Sequence, residues 1–104
     1  MRKAKVFVNG REAGTLLEAE FGRRYRFGYM EEYSGIPVSL TMPLSQKVYE
    51  FDSFPPFFDG LLPEGYQLEG LLKIGKIDRN DLFAQLMAVG GDLVGNITVK
   101  EVPE

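Results

Sequence analysis

The chain has 104 residues, 44% of them hydrophobic, with eight Phe and five Tyr, which suffices to bury one core and no more. It contains no Cys and no His, which excludes a disulfide framework, a thiolate nucleophile, an imidazole base and a Cys/His metal set. A formal charge of −3 disfavours a reader of nucleic-acid backbones, and no apolar run reaches the roughly 18 residues of a membrane span. Arg2-Lys3-Ala4-Lys5 is not followed by the apolar stretch of a secretory leader, so the expected compartment is the cytoplasm.

Lys5-Val6-Phe7-Val8 is β-branched and aromatic, and Asn9-Gly10 is the strongest short hairpin signal, so residues 3–8 and 11–18 are expected to pair. A third strand is expected over 24–30. Alternation there puts Tyr25, Phe27 and Tyr29 on one face and Arg24 and Arg26 on the other, so aromatics and arginines do not form a joint stacking platform for bases. Residues 31–37 read as a polar connection with a helical turn. Val38–Met42 reads as a short strand ended by Pro43, and 44–53 as a loop in which Val48–Phe51 is extended. A helix starting near Phe54 and restarting after Pro63 carries Leu68, Leu71, Leu72 and Ile74 at helical spacing up to Gly75. A second helix, capped by Asp78 or Asn80, carries Leu82, Phe83, Leu86 and Met87 and stops at Gly90-Gly91. Residues 93–102 close the chain as a strand. The expected fold is therefore α+β: one small domain over 1–104, with a mainly antiparallel sheet and two to three short helices.

Candidate chemistry is sparse. Ser34, Ser39, Ser45 and Ser53 lack a Gly-x-Ser-x-Gly setting, and Asp78, Asp81 and Asp92 read as caps and turn formers with no cation-loop spacing. The run Gly90-Gly91-Asp92-Leu93-Val94-Gly95-Asn96 has glycines in the wrong order for a phosphate cradle: it leads from helix to strand, and no Gly-Lys-Ser/Thr follows. No catalytic residue, cofactor or metal is expected.

The densest stretch is Phe57-Phe58-Asp59-Gly60-Leu61-Leu62-Pro63-Glu64-Gly65-Tyr66. Large apolar residues crowd a Gly-Leu-Leu-Pro turn, and Pro63 suits the first position of a following helix, with Glu64 at the positive end of its dipole. Phe57, Phe58, Leu61 and Leu62 read first as core, and Tyr66 as an aromatic held at a rigid corner.

Phe57 to Gly65 resembles the signature of the N-terminal subdomain of HipA-type serine/threonine kinases. The opening hairpin, Pro37 to Leu44, Asp81-Leu82-Phe83 and Gly91 to Thr98 are similar to that family in order and spacing. The family's kinases continue beyond this subdomain into a catalytic core, whereas this chain ends at Glu104. The resemblance therefore implies the separately encoded form of the subdomain, as in HipS-like antitoxins. It implies a shortened HipT-like serine/threonine kinase as partner and a HipB-like helix-turn-helix protein as an indirect one, without direct nucleic-acid or membrane contact. The implied function is neutralisation of the kinase. Two alternatives stay open: a complementing, non-inhibitory subunit, and a small nucleic-acid-binding module using the Tyr25–Tyr29 strand. By this reading Tyr66 is the plug, Glu64 meets a basic group in a phosphate-binding cleft, and Phe58, Leu61, Leu62, Pro63 and Gly65 support them.

Overall fold

Asn9 and Gly10 both take positive φ, 51° and 81°, the mirror-image turn whose twist matches that of two paired strands. They join β1 (Arg2–Val8) to β2 (Arg11–Glu20). Then follow β3 (Arg24–Tyr29), β4 (Val48–Phe51), α1 (Pro56–Asp59), α2 (Gly65–Gly75), α3 (Leu82–Val89) and β5 (Ile97–Val102). The structure is a computed structural model and describes residues 1–93 and 95–103. Its sheet has five strands in the order β4-β3-β2-β1-β5, each neighbour antiparallel. The fold class is α+β, as the periodicity predicts.

One face of the sheet is apolar and covered. Val6, Leu16, Phe27 and Val99 come from four strands and are fully or almost fully buried. Phe58 of α1 meets Phe27 with ring centroids 6.0 Å apart, and Phe54 meets Tyr25 edge-on at 5.3 Å. Phe83 and Leu86 of α3 complete the same core. The helices thus lie on one side, and the other side of the sheet is open. Arg24 and Arg26 are exposed while Tyr25, Phe27 and Tyr29 are buried, in agreement with the alternation of the third strand.

Several expected boundaries are corrected. Val38–Met42 is not a strand: it is a run of bends and turns. Val38 and Met42 are nevertheless buried, because the Tyr29 hydroxyl donates to the Met42 carbonyl at 2.6 Å and accepts the Val38 N–H at 2.9 Å. A tyrosine hydroxyl, in place of a neighbouring strand, satisfies that backbone. Val48–Phe51, expected as extended loop, is the edge strand β4. The first helical stretch begins at Pro56 and not at Phe54, with Pro in the first turn where its missing N–H costs nothing. The cap of α3 is Asp81, whose side chain accepts the Ala84 N–H at 3.0 Å, while Asp78 turns the preceding loop by accepting from Asn80 at 2.8 Å. The closing strand starts at Ile97. Val94, part of that expected strand, and Glu104 lie outside the described residues.

α3 is fixed at both ends. At its C-terminus Gly90 accepts the Val99 N–H at 2.9 Å, and a Cβ at Gly90 would stand 2.2 Å from the Val99 carbonyl oxygen, so only glycine permits this approach. At its N-terminus Arg2 donates two bonds to Asp81, at 3.1 and 2.9 Å, and a third from Nε to Glu18 at 2.7 Å. Glu18 is only 4% exposed, and its other oxygen accepts from the Tyr25 hydroxyl at 3.0 Å and the Gly22 N–H at 3.2 Å. Burial, then the bond to Glu18 and its charge, push the Tyr25 phenol well above its ordinary range.

Burial pushes the Asp81 carboxyl up, but the bonds from Arg2 and from the Ala84 N–H, with the Arg2 charge, outweigh it and hold the group below the usual carboxylate range. Because the folded value is lowered, the stability this group contributes is complete above the unfolded value of about 4 and is lost as pH falls through the folded value. Asp81→Asn retains a good cap and removes only the charge. The melting-temperature gap between parent and Asp81→Asn is expected to be largest near neutral pH and to shrink toward about pH 2. A gap of constant size across that range would contradict this assignment.

Candidate partner-binding corner

The corner is built by two proline-set turns. Pro55 is buried and extended, with φ −58° and ψ 131°, and it delivers the chain into α1. The single turn of α1 continues as i→i+3 bonds, Leu61 N–H to Phe58 carbonyl and Leu62 N–H to Asp59 carbonyl, each 3.1 Å. Phe58 and Leu62, four residues apart, therefore point inward at 0% and 9% exposure. Phe57 packs edge-on against Phe58 with centroids 5.2 Å apart and is half-buried, as is Leu61.

The chain then turns outward. Pro63 does not occupy the first helical position. Glu64 is extended at φ −129° and caps without a side-chain bond, and α2 starts at Gly65, whose φ of +60° strains any residue bearing a Cβ. Tyr66 follows at once and is 97% exposed. A groove of about 600 Å³ lies beside it, with Leu61, Leu62, Pro63 and Gln67 on one wall and Val89 and Leu93 on the other. Glu64 and Asp92 put two carboxylates at the same groove.

The structure thus brings all seven predicted residues to one corner but divides them. Phe58 and Leu62 are scaffold in the core, Leu61 and Pro63 form a half-buried floor, and Glu64, Gly65 and Tyr66 are exposed. The helix expected after Pro63 is present as α2, and what the residue pattern misses is how little of it is covered. None of its residues is buried: Leu68, Leu71 and Leu72 are half-covered, and Ile74, expected on the inner row, is 87% exposed. At about 100° per residue Ile74 lies roughly 120° from Leu68, the centre of the leucine row, and about 40° from Gly70. That angular count is the signal that would have moved Ile74 outward. Among the described residues no set of three His, Cys, Asp or Glu could hold a metal, and no helix is long and apolar enough to cross a membrane.

Residues 4–100 match the family described as the HipA N-terminal domain. The chain belongs to that family. It is 34% identical over 101 residues to an "Uncharacterized protein" of Haemophilus influenzae, a match that covers 97% of this chain and 93% of that protein. It is 30% identical over 99 residues to "Putative kinase Y4mE" of Sinorhizobium fredii, covering 91% of this chain but only 23% of that much longer protein. Among solved structures, the "N-terminal domain of HipA toxin" superposes with a TM-score of 0.78 at 32% identity, covering 100% of this chain and 95% of the other. The HipA N-terminal domain thus occurs both as part of a longer kinase-named chain and in a relative about as long as this one, and the resemblance carried by Phe57–Gly65 and the closing segment is shown.

The division within the corner is measurable. Phe58→Ala empties a fully buried ring site and is expected to destabilise by about 3–5 kcal/mol, whereas Tyr66→Ala removes a ring already in solvent and is expected to change stability by less than about 0.5 kcal/mol. Urea unfolding of the two variants checks both values. A Tyr66→Ala midpoint lowered as far as that of Phe58→Ala would show that the ring is core.

Proposed function

We propose that this protein binds a HipA-type serine/threonine kinase through the Leu61–Tyr66 corner and α2, and thereby neutralises it as a HipS-like antitoxin. The observation that supports this most is the 97% exposure of Tyr66 on a corner whose supports, Phe58 and Leu62, are locked in the core. A tyrosine whose backbone is set by a turn has only its side-chain torsions left to fix on docking, and such rings are the usual anchors of protein interfaces. α2 extends the surface, since a helix carrying Leu68, Leu71, Leu72 and Ile74 without one buried residue leaves its apolar area for a partner to cover. Glu64 and Asp92 at the groove supply the charge complementary to a basic group of a phosphate-binding cleft.

In this reading the protein performs no catalysis. Its partner is a HipT-like kinase, and a HipB-like helix-turn-helix protein joins through that kinase. Neutralisation is steric: the tyrosine and its carboxylate neighbour occupy space that nucleotide or a closing lobe requires. The reading rests on family membership together with the exposed corner, and not on any relative's established activity.

Co-expression of the chain with its cognate HipA-type kinase is expected to relieve the growth arrest that the kinase causes alone. Tyr66→Ala is expected to weaken kinase binding by about 2 kcal/mol or more, some thirtyfold, measured by titration calorimetry, and to reduce relief in step. Binding without relief would replace the antitoxin reading by that of a complementing subunit. Unchanged binding by Tyr66→Ala would remove the corner from the interface.

A further inference from the structure

The sheet face turned away from the helices is open, and its register defines what it presents. Across it run two rows of paired residues: Val102, Lys3, Leu17, Arg26 and Glu50 in one, Lys100, Lys5, Thr15, Gly28 and Val48 in the next. Leu17, Thr15 and Gly28, with the stems of Lys3 and Arg26, form a shallow apolar hollow of about 240 Å³. Gly28 contributes by what it lacks, since a side chain there would fill the hollow and a Cβ would meet only Val48 Cγ2, at 4.0 Å.

Around this hollow basic residues outnumber acidic ones. Lys3, Lys5, Arg26 and Lys100 stand on this face with Glu12 and Glu50, in a chain whose 15 carboxylates outnumber its 12 Lys and Arg. Glu50 pairs with Arg26 at 3.2 Å, and Glu12 reaches Lys5 at 3.7 Å. Among the described residues neither Lys3 nor Lys100 has a carboxylate within ion-pair distance, and Lys100 lies instead over the Phe7 ring at 5.9 Å. Lys5 and Lys100 are directly opposed across β1 and β5, an arrangement that destabilises an isolated sheet. Like charges facing each other beside an unfilled hollow are relieved by an anion.

We propose that this open face is a second docking surface, for an acidic protein segment that places an aliphatic side chain in the Leu17–Thr15–Gly28 hollow and carboxylates against Lys3, Lys5 and Lys100. An aliphatic occupant fits better than a nucleobase, because the face offers no exposed ring: Phe7 is half-buried and covered by Lys100. The surface lies across the sheet from α1 and α3, so its occupancy and that of the Tyr66 corner are separate events, and the proposal does not depend on the kinase reading.

The probe is the peptide acetyl-Glu-Leu-Glu-Asp-Leu-Glu-Glu-amide, titrated at low salt into the ¹⁵N-labelled full chain. Amide shifts are expected at Lys3, Thr15, Leu17, Arg26, Gly28 and Lys100, with Tyr66 and Ile74 unmoved. The double variant Lys3→Glu/Lys100→Glu is expected to weaken binding at least about tenfold, and the same peptide with Gln for Glu and Asn for Asp to lose a similar factor. Should the double reversal disturb the fold, Lys3→Gln gives the same readout with a smaller loss, and Leu17→Asn tests the hollow without touching a charge. The proposal is overturned by no binding at about 1 mM peptide, by equal affinity of the lysine variants, or by shifts centred on α2. It is equally overturned if an oligothymidine strand binds the same residues more tightly than the peptide, which would make the face a nucleic-acid surface.

Discussion

The Glu18 carboxylate, buried against the end of the sheet, is satisfied by Arg2, by the Tyr25 hydroxyl and by the Gly22 N–H, so partners come from β1, β3 and the β2–β3 turn. An ionised carboxylate stripped of water costs several kcal/mol, and only this set of partners together offsets it. Arg2 also reaches Asp81 through both guanidinium amino groups, and its planar head lies 5.0 Å from the Phe21 ring and 4.9 Å from that of Phe83. The same guanidinium therefore sets the strand register near β1's start and the position of α3's first turn. No shorter or more flexible cation reaches both carboxylates with this geometry.

Once α3 is fixed by Arg2 at one end and by the Gly90–Val99 contact at the other, the remaining helices divide into two kinds. α1 is a single turn locked by Phe58 against Phe27. α2 touches the body along its half-covered leucines, with an exposed Glu69–Arg79 pair between its middle and the loop before α3 that contributes little. A helix with no buried residue belongs to the least stable part of a fold, yet its start is held by the turn through Leu62. Rigid entry and loose cover together are what the proposed partner-binding role asks of this element.

The sheet was readable because its signals are local. Asn9-Gly10 names its own turn, and the period of two in Tyr25–Tyr29 sorts core from solvent without knowledge of any partner. The failures share one cause, which is contacts distant in sequence. Val38–Met42 alternates like a strand, but its burial depends on the Tyr29 hydroxyl, which no local pattern announces. Ile74 joins an apolar row by count but leaves it by angle. Glu18 and Arg2 look like any charged pair on β-strands until α3 supplies Asp81. The corner was legible as a corner, since the Gly-Leu-Leu-Pro turn fixes it, and so was its division into core Phe58 and presented Tyr66, whereas the placing of Pro63 outside the helix turns on α2 starting at Gly65 with a positive φ.

The two candidate surfaces also differ in sign, and that follows from the architecture. The corner gathers Glu64 and Asp92 around an apolar groove, and the open sheet face gathers Lys3, Lys5 and Lys100 around an apolar hollow. Between them lies a single core layer, in which Phe27 of the sheet faces Phe58 of α1. Charges on opposite sides of so thin a layer do not neutralise each other through contact, and each side attracts ligands of opposite sign. On the two proposals, a partner with a basic cleft would be steered to the corner and an acidic one to the sheet. Because the strands between the two are tied by continuous backbone bonds, one can dock without displacing the other. With both proposed surfaces occupied, the domain would hold two proteins at a fixed separation.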